Sequence, residues 1–280
     1  MTLLKNYRHI FQTDYTQDPD CVGAWPMQEG EGDYTYDYSA SEVDFEFIGD
    51  ASWDNTDPPK SYAKNYIYLD GINDWLDGNN TTLGLGATTA SWAFWARTYE
   101  EDLPYNCIFS RKGYNKYAWH TGGSSLHSQL GVSAPVFSFK ATADDINMVV
   151  DEWGHFAYIW DGSNDARMYK NGVEQDLSTA YSASEITNDT AELLIGHIGI
   201  GTGPEWWGDI TQVIMLVRPL DATEVNDIYD NSIQGSGLTP YPIDRLRKDV
   251  QSGYHCFIAA YLSASVGGFA PLKLPDGTVF

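Results

Sequence analysis

Basic residues are scarce in this 280-residue chain, which carries 16 Lys and Arg against 39 Asp and Glu and has a formal charge of -23 at pH 7. A polyanion such as nucleic acid would be repelled by that charge rather than steered toward the protein. Long apolar runs are also scarce. The segment Cys256–Ala270 is apolar but is interrupted by Ser and Gly, which makes it too short and too polar to cross a bilayer. We therefore expect neither a nucleic-acid partner nor a membrane span.

Cysteine is rare as well. Cys21, Cys107 and Cys256 lie far apart, in a spacing that matches neither a zinc-binding pattern nor an even set of disulfides. We interpret them as buried thiols. The residues after Met1 include Lys5 and Arg8 but no apolar stretch of signal-peptide length, so we expect any export to follow another route.

The clearest structural signal is the segment 153–172, WGHFAYIWDGSNDARMYKNG. It predicts a strand at His155–Trp160, a polar turn, a second strand at Arg167–Lys170 and a hairpin turn at Asn171-Gly172, the most informative two-residue turn signal. Bulky apolar groups occur on both alternating faces of the first strand. A strand of this kind is typical of a sheet interior that is covered on both sides.

Short β-forming segments separated by Asp- and Gly-rich turns continue along most of the chain. They predict an all-β fold, a two-sheet antiparallel sandwich of jelly-roll type. One helix is expected after Asp221, because Glu224 follows three residues later as in a capping box and apolar residues follow at helical spacing. We expect an N-terminal arm at residues 1–20 outside the core, one sandwich domain at 21–234, and a C-terminal linker and assembly arm at 235–280.

Nine successive segments resemble one family in the same order. They are WPMQEGEG (25–32) with Asp37, YLDGIND (68–74), SWAFWA (91–96), IFSRK (108–112), WGHFAYIWDG (153–162), MYKNG (168–172), LIGH (194–197), WGDITQVIM (207–215) and RPLDATEV (218–225). Together they resemble the blocks of the laminin-G-like, concanavalin A-like lectin/glucanase superfamily. The resemblance covers roughly residues 21 to 230 and implies a jelly roll whose concave face or rim loops carry a binding site.

Three carboxylates form the sharpest catalytic pattern, Glu42, Asp44 and Glu46 in EVDFE. On an extended strand all three would lie on one face, since side chains alternate. The motif resembles the signature of lichenase- and laminarinase-type β-glucanases, which implies a nucleophile at Glu42, an acid/base at Glu46 and a tuning residue at Asp44. Its early position favours an exposed acidic face instead. We expect no enzyme, with retaining β-glucan hydrolysis as the alternative.

Calcium is the metal that the Asp- and Gly-rich loops favour, because hard cations bind several carboxylate and carbonyl oxygens. The family resemblance implies a calcium near Asp37 and the GDITQV block, in which Asp209 is the acid and Thr211 replaces the family's usual acid. Other candidate ligands are loop residues, namely Asp70, Asp74, Asp161 and Asp165.

Ten Trp and nineteen Tyr residues suit a carbohydrate ligand, because flat aromatic rings stack on the C–H faces of sugars. Trp206 and Trp207 are the best candidates, since consecutive residues on a strand cannot both face the core. Tyr114 and Trp119 are further candidates, together with Tyr117.

These patterns predict a non-catalytic carbohydrate-binding or adhesive module of a larger extracellular or virion assembly. A glycan is the expected ligand. Neighbouring copies or other structural proteins are the expected partners of residues 236–280, whose apolar side chains would be costly to leave in water. A purely structural virion decoration protein without a ligand is a further alternative.

Overall fold

The computed structural model describes residues 13–79, 83, 87–99, 104–111, 118–122, 125–130, 137–141, 148–162, 166–179, 192–197 and 205–234. For residues 104–107, 111, 118–122, 125–130, 137–141 and 177–179 it describes the backbone. By its internal contacts the chain divides into two units, Met1–Leu238 and Thr239–Phe280, and the described residues all belong to the first.

The described residues are mostly strands, with one 3-10 helix at Tyr15–Gln17 and one α-helix, α1, at Ala222–Asn231. The strands, in chain order, are β1 Cys21–Trp25, β2 Tyr34–Thr35, β3 Phe45–Ile48, β4 Ser52–Asp54, β5 Tyr66–Asp70, β6 Trp75–Asp77, β7 Ala90–Thr98, β8 Pro104–Arg111, β9 Ala118–Gly122, β10 Ser125–Leu130, β11 Phe137–Ala141, β12 Gly154–Trp160, β13 Ala166–Lys170, β14 Val173–Gln175, β15 Leu177–Thr179, β16 Leu193–Ile195 and β17 Trp207–Leu216. No described helix is long and apolar enough to cross a membrane.

Two antiparallel sheets form the fold. Sheet A has the strand order β14-β13-β12-β7-β17-β5-β4, and β1 also pairs with β17. Sheet B has the order β15-β11-β10-β9-β8-β16-β6-β3-β2. Neighbours in these orders are often distant in sequence, as with β7 and β17, so long-range pairing builds both sheets. The predicted all-β jelly-roll sandwich is confirmed.

The main core lies between the two sheets. Sheet A contributes Phe94, Phe156 and Ile210, and sheet B contributes Phe45 and Leu193, all to one buried cluster. Alternation along each strand explains this, because every second residue of β7 and β12 enters the core while the residues between face the other side of sheet A.

A second apolar cluster covers part of the outer face of sheet A. Helix α1 contributes Val225 and Ile228, which contact the small and apolar residues that β7, β12 and β17 place outward. Asp221 caps the helix by accepting the Thr223 and Glu224 N–H groups, and the Glu224 carboxylate accepts the Asp221 N–H. The capping box that the sequence predicts is therefore present.

The hairpin predicted at 153–172 is also confirmed. Strand β12 lies between β7 and β13 with all seven residues buried, as expected for an inner strand. Asn171 and Gly172 connect β13 to β14 with φ of 51° and 79°, the paired positive values of a type I′ turn.

The N-terminal segment differs from expectation where it is described. We expected residues 1–20 to lie outside the core, yet Tyr15 is buried in the second cluster and its N–H donates to the Ile233 carbonyl. The Tyr15 hydroxyl donates to Asp227 on α1. The apolar ring explains the difference, because burial against the helix removes it from water.

Candidate functional site

The outer face of sheet A continues beyond α1 as a surface of aromatic and charged side chains. Asp209 of β17 lies opposite Tyr68 of β5 on one side and Arg97 of β7 on the other. Paired residues project to the same face of a sheet. Their chain neighbours Leu69, Ile210 and Ala96 belong to the inter-sheet core, so this row faces outward.

A buried ion pair forms the base of this surface. The Arg97 guanidinium donates from Nε to Asp209 Oδ2 at 2.8 Å, and one terminal nitrogen lies 2.8 Å from the same oxygen. Its other terminal nitrogen contacts the Asp57 carboxylate at 2.5 Å. The guanidinium also lies over the ring of Trp153, 4.9 Å from the centroid, and the Trp153 indole donates to the Asp57 carbonyl. Arg97 is thus held on several sides at once.

The electrostatics of the pair follow from this environment. Burial raises the pKa of Asp209, and hydrogen bonds from Tyr99 and Arg97 oppose that rise. Burial by itself would lower the pKa of Arg97, but the hydrogen bond and charge of Asp209 outweigh it and raise the pKa overall. Burial and the bond to Asp209 raise the pKa of Tyr99. Its hydroxyl is therefore a proton donor at neutral pH, 2.6 Å from Asp209 Oδ2.

Three aromatic rings lie at the surface beside the ion pair. Trp207 is 37% exposed, and its indole N–H donates to the Tyr68 hydroxyl at 3.3 Å. The ring of Tyr99 lies 6.0 Å from both Trp207 and Tyr68. We call Tyr68, Tyr99 and Trp207 the aromatic triad. Its rings are fixed to one another and to Asp209, so the triad presents a pre-formed surface.

A glycine turn lets Trp207 occupy this position. Gly71 follows β5 with φ of +74°, and a Cβ on it would lie 2.7 Å from Trp207 Cβ. The next residue, Ile72, is strongly exposed at the tip of the turn. The turn thus combines a left-handed backbone with a close approach, both of which favour Gly.

The two adjacent tryptophans have opposite surroundings. Trp206 is 0% exposed and lies in the inter-sheet core, which corrects its assignment as a ligand-binding residue. Trp207 keeps its assignment as an accessible ring. The alternation of a strand separates the two, as adjacency predicts, but only the sheet register shows which one faces water.

The other aromatic candidates are not brought to this surface by any described contact. Trp119 lies in β9, where its backbone pairs with Phe109 and Ser128. Tyr114 and Tyr117 lie outside the described residues.

The acidic residues predicted to bind calcium serve turns and ion pairs. Asp37 is buried and accepts the N–H groups of Ala24, Ser39 and Val43 together with the Ser39 hydroxyl, at 2.8–3.0 Å. Asp209 holds Arg97. Asp37 therefore organises the loop between β2 and β3, because its carboxylate satisfies three backbone donors.

Asp70 and Asp74 shape the turn beside Trp207. Asp74 accepts the N–H groups of Asp50 and Asp70, and Asp70 accepts the N–H of Ile72. Within the described part of the chain, no three Asp, Glu, His or Cys side chains group as a metal site. Calcium binding by Asp37, Asp209, Asp70 and Asp74 stays a prediction, and Asp165 lies outside the described residues.

The three carboxylates of EVDFE do not share a strand face. Glu42 has a left-handed φ of 52° just after a turn, and the strand begins only at Phe45. Asp44 is engaged in the same loop, where it accepts the Asp37 N–H at 2.9 Å. Only Glu46 lies in the strand, opposite Tyr34 and Asp77. The extended geometry on which the glucanase alternative depends is therefore wrong for Glu42, and Asp44 lies outside the strand.

Sequence reasoning missed Tyr68, Tyr99 and Arg97. Arg97 carries a usable signal, because Ser91, Ala93, Trp95 and Arg97 alternate with core residues in β7 and so share the outer face. No local pattern links Tyr68 to Trp207, which are 139 positions apart.

A family model described as the concanavalin A-like lectin/glucanases superfamily, Laminin_G_3, matches residues 70–226. That match covers more than half of the chain. The chain belongs to the concanavalin A-like lectin/glucanases superfamily. No curated protein matches the sequence.

Several solved structures share this superfamily fold. The binding domain of Paraclostridial Mosquitocidal Protein 1 aligns with a TM-score of 0.60 at 12% identity, over 75% of this chain and 52% of that one. A structure of botulinum neurotoxin type C, whose entry into cells depends on interaction with two ganglioside molecules, aligns with a TM-score of 0.56 at 14% identity. The alignment covers 75% of this chain and 51% of that one. This concanavalin A-like chain therefore spans about half the length of the toxin structures it matches.

A third similar structure is one whole domain. Domain 4 of AbnA, a GH43 extracellular arabinanase from Geobacillus stearothermophilus in complex with arabinotriose, aligns with a TM-score of 0.53 at 14% identity, over 75% of this chain and 98% of that domain. Identities this low establish the shared fold alone.

Proposed function

We propose that this chain is a non-catalytic carbohydrate-binding module that binds a glycan on the aromatic triad of Tyr68, Tyr99 and Trp207. The observation that carries the proposal is the partly exposed indole of Trp207, whose N–H is held by the Tyr68 hydroxyl. A sugar ring stacks its C–H face on such an indole, and nearby polar groups bind its hydroxyls. The similar toxin binding domain and the arabinanase domain in complex with arabinotriose support this function.

Polar groups suited to sugar hydroxyls lie beside the indole. Tyr68 accepts the Trp207 N–H and keeps its own O–H as a donor. Asp70 lies opposite Trp207 in the register of β5 and β17 and offers carboxylate oxygens. A stacking ring, a hydroxyl donor and a carboxylate acceptor make up a small carbohydrate subsite.

The triad is also pre-organised. Tyr99 donates to Asp209, Asp209 binds Arg97, and Arg97 is only 7% exposed at its side chain. Binding then requires little ordering of side chains, which preserves affinity. We infer a binding rather than a hydrolytic role, because the described site has no pair of free carboxylates on a common strand face.

We further propose that the module belongs to a larger extracellular or virion assembly, with residues 236–280 contacting neighbouring copies or other structural proteins. The apolar content of Cys256–Ala270 supports this context, since such side chains favour burial.

The binding proposal is tested with a glycan array and calorimetry on the full chain and on Trp207→Ala. Removal of the stacking ring should weaken binding of any glycan hit by about tenfold or more, as for an aromatic hot spot. Val173→Ala is the matched control, because Val173 is 63% exposed in β14, away from the triad. A full chain that binds no glycan, or unchanged binding by Trp207→Ala, would contradict the proposal and favour a structural decoration protein.

A further inference from the structure

The charge around the aromatic triad bears on which glycans it accepts. The carboxylates described at or beneath this surface include Asp70 opposite Trp207, the buried Asp209 below Tyr99, and Asp57, whose side chain is 72% exposed. One guanidinium, that of Arg97, faces them. Among these described groups, three negative charges against one positive charge make the surface acidic, within a chain whose formal charge is -23.

The guanidinium of Arg97 is not available to a ligand. Its Nε and Nη2 atoms bind Asp209, and Nη2 also donates to the Tyr66 hydroxyl at 3.4 Å. Its Nη1 atom binds Asp57. The side chain is 7% exposed. Within the part of the surface that the structure describes, an anionic sugar on Trp207 would therefore meet carboxylates, while the Arg97 guanidinium beside them is already bound.

Each protein carboxylate would repel an anionic ligand only modestly, but the effects of several carboxylates on affinity combine. A ligand carboxylate about 7 Å from one protein carboxylate in water loses roughly two- to threefold in affinity, and less at physiological salt. Arg97 offsets one of the two charges of Asp57 and Asp209, so Asp70 and the one net charge that remains on this group would give roughly four- to tenfold if each lay at that distance. A neutral pyranose carries no such penalty and keeps its stacking on Trp207.

We infer that the site selects neutral glycans and discriminates against sialylated and sulfated ones. This inference rests on the proposed glycan-binding function and narrows its ligand class. It differs from what is stated of botulinum neurotoxin type C, since gangliosides carry sialic acid. Because the discrimination is electrostatic, raised salt should reduce it while leaving the affinity for the neutral glycan nearly constant.

The test uses the full chain on an array of matched pairs, such as lactose with sialyllactose and N-acetyllactosamine with its 6-sulfated form, at 20 and 300 mM salt. The expected result is binding of neutral members, with the anionic partner at least fourfold weaker at low salt and the difference reduced at high salt. Asp70→Asn keeps the acceptor for the Ile72 N–H and removes one charge, so it should narrow the difference about two- to threefold.

Asp33→Asn is the matched control. It changes the total charge equally from an exposed position before β2, on the other sheet, and should leave the discrimination unchanged. Equal or tighter binding of the sialylated or sulfated members would overturn the inference while the glycan-binding proposal stands. An array on which no glycan binds, or on which Trp207→Ala binds as well as the natural chain, would overturn both.

Discussion

Single residues on the outer face of sheet A bury their polar groups in two different ways. The Arg97 guanidinium forms ion pairs with carboxylates, whereas both ring nitrogens of His155 are buried without a hydrogen-bond partner. The His155 ring packs against Trp95 and Tyr229, with centroids 5.3 and 5.7 Å away. Burial, together with the nearby Lys60 ammonium, lowers the pKa of His155 to about 3. His155 is thus held neutral.

This residue predicts a pH dependence of stability. Below about pH 6.5, His155 is protonated in the unfolded chain but not in the folded chain. The folded state therefore loses stability relative to the unfolded state as pH falls from about 6.5 toward 3. The free energy of unfolding should fall by up to about 1.4 kcal/mol per pH unit from this residue. Denaturant unfolding of the natural chain and of His155→Phe measures it. The two chains are compared by the slope of their free energy of unfolding against pH, and the difference between the slopes separates the effect of His155 from that of the carboxylates. Equal slopes would contradict a neutral buried imidazole.

At the scale of elements, the turn after β5 connects the fold to the site. Its backbone passes so close to β17 that a Cβ on Gly71 would meet Trp207, and the left-handed φ of +74° adds strain for any other residue. The turn therefore decides both where β5 ends and where the Trp207 ring lies. Site geometry is here a property of two strands and a turn rather than of one residue.

Gly71→Ala tests this relation against a matched control. Gly32 has a similar φ of +83° but nothing within 4 Å of its Cβ position, so Gly32→Ala should cost only about 1 kcal/mol of backbone strain. Gly71→Ala should cost roughly 1–3 kcal/mol more and weaken glycan binding, because Trp207 must move. Thermal and denaturant melts with calorimetric titration measure both effects. Equal stability and binding in the two variants would show that the close approach is unimportant.

At the scale of the whole molecule, the C-terminal segment bears on how the chain assembles. The unit from Thr239 to Phe280 lies outside the described residues, and its expected role as an assembly arm stays a prediction. Its segment Cys256–Ala270 carries six large apolar side chains, Phe257, Ile258, Tyr261, Leu262, Val266 and Phe269. Burying six such groups contributes roughly 9–18 kcal/mol, enough to fix an arm to a neighbouring subunit.

Deletion of residues 236–280 is the corresponding experiment. The shortened chain should remain a folded sandwich but no longer assemble, since both core clusters described above lie within residues 15–233. Sedimentation of both chains over a range of concentrations measures this, with circular dichroism as the folding control. A full-length chain that stays monomeric at high concentration would contradict the assembly role.

Local patterns in the sequence determined several elements correctly. The β12–β13 hairpin, its Asn171-Gly172 turn and the capping box of α1 depend on neighbouring residues, so their physical causes lie within a few positions. The outward position of one tryptophan at 206–207 has the same origin. Glu42 shows the limit of this reasoning, because its left-handed backbone ends the alternation that places carboxylates on one face.

The all-β class, the superfamily resemblance and the acidic charge follow from the sequence alone, since they depend on composition, alternation and the order of blocks. The folded structure was needed to show that Trp207 is the exposed ring, that Tyr68 and Tyr99 lie beside it, and that Asp57 and Asp209 bind Arg97. Those contacts connect β5, β7 and β17 across up to 139 positions. Their register is set by burial of the opposite face in the inter-sheet core, which no local pattern specifies.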